Sequence, residues 1–144
     1  MALAVALVAV GCGESPVNIQ LEVIENTTFA PNLGIDLGSM QELPTGVYIE
    51  DLLVGNGAVV SAGRVTVTYR GWLTNGTEFD SGQFDFLLGN DEVIPGFEGG
   101  ILGMQVGGTR RLVIPPDQAY GSRASGPIPA GAVLVFEITA DALN

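Results

Sequence analysis

The chain has 144 residues, enough for one domain with a sizeable core and an extension. Sixteen acidic residues face five basic ones, all arginine, for a net charge of −11, which argues against binding a phosphate backbone. With no histidine and a single cysteine, Ser-His-Asp and Cys-His catalysis, an internal disulfide and a cysteine-based zinc site are all excluded. Any chemistry here runs without imidazole, thiolate or an evident metal, and no cofactor is expected.

In chain order, "MALAVALVAVGC" comes first. This apolar run is shorter than the roughly 20 residues a membrane-spanning helix needs, but it has the length of a signal-peptide core. Small residues ahead of Cys12 resemble a bacterial lipoprotein signal. Residues 1–12 are therefore expected to be a signal segment, with lipid attached at Cys12. Two features depart from that pattern: no Lys or Arg precedes the run, and Ala9 stands where leucine is commonest.

Residues 13–45 hold five acids, no base and only scattered apolar residues, without a sustained period of 2 or 3.6. They read as an acidic tether with little regular structure. From residue 46 the texture changes. "VYIEDLLVG" is strand-like, and "RVTVTYRGWL" alternates with Val65, Val67 and Tyr69 on one face. Asn75-Gly76 predicts a hairpin turn, because both residues tolerate φ > 0. "TEFDSG" and "FDFLLG" read as two short extended pieces, and "TRRLVIP" and "AVLVFEITA" as two further strands. Between them lies "EVIPGFEGG". Proline at a first helical position is preorganised, so a short helix starts here and turns Val93, Ile94 and Phe97 toward one place. "GNGAVV" at Gly55 lacks the third glycine of a dinucleotide loop and is followed by strands; it reads as a hairpin loop. Residues 46–144 are thus one domain of the α+β class, five or six strands with one short α-helix. From periodicity alone the aromatic residues would be ordinary core.

Three segments add to this reading: "VTYRGWLTNGTEFDSG", "VIPGFEGGILGMQVGGTRRLVIPPDQAYG" and "GPIPAGAVLVFEI". In sequence, order and spacing they resemble the FKBP-type peptidyl-prolyl cis-trans isomerases. The resemblance covers residues 46–142. It implies an antiparallel sheet curled around one short helix, with a pocket between sheet and helix that receives a proline ring. By that resemblance Phe97 is the pocket floor, and Val93 and Ile94 form one wall. Tyr69, Phe79, Phe84, Ile128 and Phe136 complete the cage. Asp80 stands at the rim, and Tyr120 offers its hydroxyl to a substrate carbonyl. The Ile94 backbone N–H is a second donor.

The implied activity is rotation about Xaa–Pro bonds in folding client proteins outside the cytoplasm. The alternative is a weakly catalytic or non-catalytic proline-binding module acting as a holdase. Expected partners are proline-containing unfolded or folding proteins and, with reduced affinity, macrolides such as FK506 and rapamycin. Nucleic acid is not expected, and a membrane is touched only through the lipid at Cys12. The expected location is the periplasm or cell envelope of a bacterium. Departures from the family pattern fall at Phe97, where tryptophan is common, and in "DSGQF", which is shortened and lacks an arginine that often steadies the aspartate. Pro127 also replaces a more usual aliphatic residue.

Overall fold

The computed structural model of the protein describes residues 20–144. The apolar run, Cys12 and residues 13–19 lie outside the described residues, so neither the expected signal segment nor the lipid site is placed. No helix among the described residues is long and apolar enough to cross a membrane.

Six strands form one antiparallel sheet: β1 (Gln41–Glu42), β2 (Tyr48–Leu53), β3 (Arg64–Leu73), β4 (Glu78–Leu87), β5 (Thr109–Ile114) and β6 (Leu134–Leu143). Their spatial order is β1-β2-β5-β6-β3-β4. Among the described residues one α-helix, α1 (Pro95–Ile101), lies against the inner face. This is the α+β architecture expected from the strand count. Alternation sorts each strand between two faces. Val65 and Val67 of β3, Leu112 and Ile114 of β5, and Leu134, Phe136, Ile138 and Ala140 of β6 point inward to the main core with Phe97 and Ile101.

The helix is poor in propensity, since three of its seven residues are glycine. Packing explains two of them. A Cβ on Gly96 would strike Ile114, and one on Gly100 would strike Leu112, so these glycines let α1 sit close on β5. Pro95 opens the helix as its first residue. At the other end the buried Arg110 guanidinium donates to the Gly100 and Leu102 carbonyls at 2.9 and 3.0 Å and pairs with Asp51 at 2.7 Å. It thereby satisfies carbonyls that a helix end leaves unpartnered.

Four expectations are corrected. The Gly55 segment joins β2 to β3, which are not neighbours in the sheet, so it is not a hairpin loop. The two extended pieces at 77–89 are one ten-residue strand, β4, because Ser81, Gly82 and Gln83 continue the pairing with Arg70, Tyr69 and Thr68. The Asn75-Gly76 turn exists, but only Gly76 has positive φ, at 91°. Asn75 instead accepts the Thr77 N–H with its side chain at 3.0 Å, the local bond that favours asparagine in turns.

The fourth correction is the largest. Residues 20–45 do not form a tether; they form a strap over the outer face of the sheet. It contains 3-10 turns at Ile24–Asn26, Pro31–Leu33 and Leu37–Ser39, and it ends in β1. Ile24 and Leu33 are buried with Tyr48, Val113, Val133 and Val135 of the outer face, against which Phe29, Ile35 and Trp72 also pack. Polar anchors hold its length: Tyr48 donates to Glu25 at 2.7 Å, Ala30 N to Thr74 O at 2.8 Å, and Arg111 to Gly34 O at 3.1 Å.

Candidate functional site

The site is built where β3, β4 and β6 meet the start of α1. The ring of Phe97, only 3% exposed, is surrounded by four others. Phe136 lies at 5.2 Å between centroids, Phe86 at 5.9 Å, Phe84 at 6.0 Å and Tyr69 at 6.2 Å. Phe79 packs edge-on to Phe136 at 5.6 Å. Most of these contacts are edge-to-face, the arrangement that aromatic quadrupoles favour. Val93 and Ile94 pack on the same cluster at the mouth of the helix, and Ile128, from the loop before β6, is buried in it.

A break in strand register makes this convergence possible. Phe79 and Phe84 are five positions apart, an odd offset, and would face opposite sides of a regular strand. Between Gly71 and Trp72 the pairing of β3 with β4 shifts, leaving Phe79 as the extra residue between Glu78 and Asp80. The bulge reverses the parity, so both rings face inward. Gly71 is needed beneath them. A Cβ there would come within 2.6 Å of Phe79 and 2.8 Å of Phe136.

The polar groups sit on the rim. Tyr69 donates its hydroxyl to Asp80 Oδ2 at 2.7 Å, and the Ser81 N–H donates to Oδ1 at 2.9 Å. The carboxylate that lacks an arginine is therefore held by a phenol and its own backbone. Burial, reinforced by the Asp80 bond and its charge and then by nearby Tyr120, pushes the Tyr69 hydroxyl up to about 12. It stays protonated at neutral pH and remains a donor. Tyr120 is 39% exposed, and no described residue bonds its hydroxyl. The Ile94 N–H, at the N-cap of α1, is likewise unused among the described residues. Among the described residues no group of three or more acidic or cysteine side chains is placed to hold a metal.

All ten of the expected site residues from Tyr69 to Phe136 thus fall around one rim and one ring cluster, while Cys12 lies outside the described residues. Sequence reasoning missed Phe86, fully buried and stacked at 5.4 Å on Phe84. The Phe-Asp-Phe alternation carried that signal, because residues two apart share a strand face. It also missed Glu98, whose Oε2 accepts the Gly89 N–H at 3.0 Å and so ties the loop after β4 to α1.

Residues 55–140 match the family described as FKBP-type peptidyl-prolyl cis-trans isomerase. The chain belongs to that family. FK506-binding protein 4 of Chaetomium thermophilum is 48% identical over 113 residues, which are 75% of this chain and 22% of that protein. The chain therefore spans about a fifth of the length of that curated relative. Among solved FKBP structures, AtFKBP13 is 34% identical with a TM-score of 0.68, covering 73% of this chain and 98% of its own. A peptidyl-prolyl cis-trans isomerase of Pseudomonas syringae is 38% identical with a TM-score of 0.67, covering 74% of this chain and 81% of its own. The FKBP-type match begins at residue 55, so the whole strap, residues 20–45, lies ahead of it.

Proposed function

We propose that this domain accelerates cis-trans rotation about Xaa–Pro bonds in folding proteins. The observation that carries the reading is the ring cluster around Phe97, together with two donors that no described residue uses, the Ile94 N–H and the Tyr120 hydroxyl. The uncatalysed barrier is about 18–20 kcal/mol, because resonance gives the C–N bond partial double-bond character. Rotation breaks no bond, so it needs neither nucleophile nor metal. An apolar cage disfavours the polar planar amide relative to the twisted one, and fixed donors favour the twisted geometry. Each ~1.4 kcal/mol gained by the transition state over the ground state is about a tenfold rate.

In this reading Phe97 is the floor for the proline ring. Tyr69, Phe79, Phe84, Val93, Ile128 and Phe136 are its walls. Asp80, Tyr120 and the Ile94 N–H address the rotating amide. FK506-type macrolides compete for the same cage, more weakly than where a tryptophan is the floor. Magnetisation exchange by NMR on an Xaa-Pro peptide with apolar Xaa should show rates well above the uncatalysed one. Peptide binding with unchanged exchange would instead establish the holdase alternative.

The finer reading places the domain outside the cytoplasm of a bacterium, held by lipid on Cys12. Its support is the apolar run ending in Gly11-Cys12. Because residues 20–45 belong to the folded body, only residues 13–19 separate that anchor from it. A segment of that length reaches at most about 25 Å, so the domain would work close to the membrane surface. Expressed in bacteria with a complete signal, the protein should partition into detergent and lose that behaviour on Cys12→Ala. An unmodified Cys12 in the mature protein overturns the assignment.

A further inference from the structure

The loop carrying Tyr120 and Ile128 is fastened from outside by the strap. Gly131 N donates to Gly121 O at 2.9 Å and closes the loop at its base, one residue after Tyr120. At the tip, Ser125 and Ile128 exchange two backbone hydrogen bonds of 2.9 Å, which set Ile128 into the core. The strap lies across this base. Glu22 N donates to Gly131 O at 2.8 Å, and Glu22 Oε1 accepts the Val133 N–H at 2.7 Å. Gly131 itself has φ +73°, and a Cβ there would stand 2.6 Å from the Gln20 carbonyl oxygen. Strap backbone and loop base are therefore in direct apposition, with Glu22 bonding on either side of Ala132.

We propose that Glu22 is a positioning residue for the proline cage: it clamps the base of the 121–131 loop and so sets the wall residue Ile128. The inference rests on the isomerase reading above. An ionised carboxylate accepting a backbone N–H makes a charge-assisted bond, and this one ties a segment remote in sequence to the loop that forms one side of the site. Glu22 is itself exposed, so replacing it opens no cavity in the core. Because a wall contact to the proline ring holds ground and transition states about equally, its loss appears in KM rather than kcat.

The test compares Glu22→Ala, Glu22→Gln and Tyr48→Phe in the full chain. Tyr48→Phe removes the Glu25 anchor elsewhere on the strap and serves as the control. In Glu22→Ala, amide exchange at Gly131, Val133 and Ile128 should rise at least tenfold, and KM for an Xaa-Pro peptide should rise about threefold or more with kcat within twofold. Glu22→Gln, which keeps a carbonyl acceptor, should restore both readouts, and Tyr48→Phe should leave loop exchange unchanged. Loop exchange as slow in Glu22→Ala as in wild type overturns the clamp, and so does an equal rise in Tyr48→Phe. If wild type itself fails to speed peptide isomerisation, the isomerase reading falls, and the loop-exchange comparison still decides the clamp.

Discussion

The inner face of the sheet meets a seven-residue helix and a set of interlocked rings; the outer face meets a strap of 3-10 turns with almost no regular structure. Both faces are dry. Inside, large side chains from three strands converge on Phe97 of the helix, and their mutual geometry is the site. Outside, Ile24 and Leu33 fill space over Val113 and Val135, held by scattered bonds from Glu22, Ala30 and Arg111. The difference teaches that one sheet can be covered by a structure built for shape and by one built for cover, and mutations should separate the two.

The largest expected effect is on the inner face. Phe97→Ala removes the ring that four others pack on and should cost about 3–5 kcal/mol of stability. Denaturant unfolding would show it as a fall in midpoint at constant m. Gly71→Ala, which drives a methyl group into Phe79 and Phe136, should lose stability by about 1–3 kcal/mol and weaken proline-peptide binding in the protein that still folds. Retained peptide affinity in Gly71→Ala would separate the Phe79–Phe136 pair from the site.

On the outer face Leu33→Ala should cost about 2–3 kcal/mol, toward the lower end for a buried leucine because a thin strap can relax into the space. Affinity for a proline peptide should stay within twofold, since Leu33 belongs to the outer cluster. A single unfolding transition in both variants would mean that the faces melt as one unit. A separate early transition in Leu33→Ala would make the strap an appendage.

The inner face was legible in the sequence and the outer cover was not, for a physical reason. Val65, Val67 and Tyr69 alternate because β3 presents one side to the core, and Pro95 marks the start of α1 because its ring suits a first helical turn. Such signals are local. The strap has none: Ile24, Phe29, Leu33 and Ile35 follow no period, because an irregular chain can aim any residue at the sheet by choosing its dihedrals. Its cover becomes visible only with the exposed side of Val113 and Val135 in view. The bulge that brings Phe79 inward is equally silent locally, since it arises from the pairing of two strands and from a glycine on the opposite one.

Each face also carries one raised tyrosine, which gives a titration that tells them apart. Tyr48 is pushed up to about 12, chiefly by its hydrogen bond to Glu25, with burial next. Tyr69 is pushed to about 12 chiefly by burial, with the Asp80 bond next. In both, folding favours the protonated phenol over the ordinary value near 10. Their contribution to stability is complete below pH 10 and is lost as pH rises from about 10 to 12, where the unfolded chain releases protons first. Stability should therefore fall steeply across that interval. Tyr48→Phe and Tyr69→Phe should each flatten part of the slope, and ultraviolet difference absorbance should lose one late-titrating tyrosine in each variant. A slope unchanged in Tyr48→Phe would mean that the Glu25 bond is not maintained in solution.

The smallest effect concerns α1, where the inner face is built with least helix propensity. Gly96 and Gly100 are fixed by contact with Ile114 and Leu112, but a Cβ on Gly99 would meet nothing within 4 Å. Gly99 also lacks the positive φ that would strain another residue. Alanine there should narrow the unfolded ensemble without a clash and stabilise the protein by about 0.5–1 kcal/mol. Gly100→Ala, one residue on, should destabilise it, because its methyl group must displace Leu112 from a packed core. The pair uses the same substitution in the same helix, so propensity is held constant and only proximity to β5 differs. A midpoint that rises for Gly99→Ala and falls for Gly100→Ala shows that the glycines of α1 divide into one that spaces nothing and one that seats the helix under the cage. If both variants rise, the sheet yields to the added methyl group, and the close seating of α1 does not set the height of Phe97.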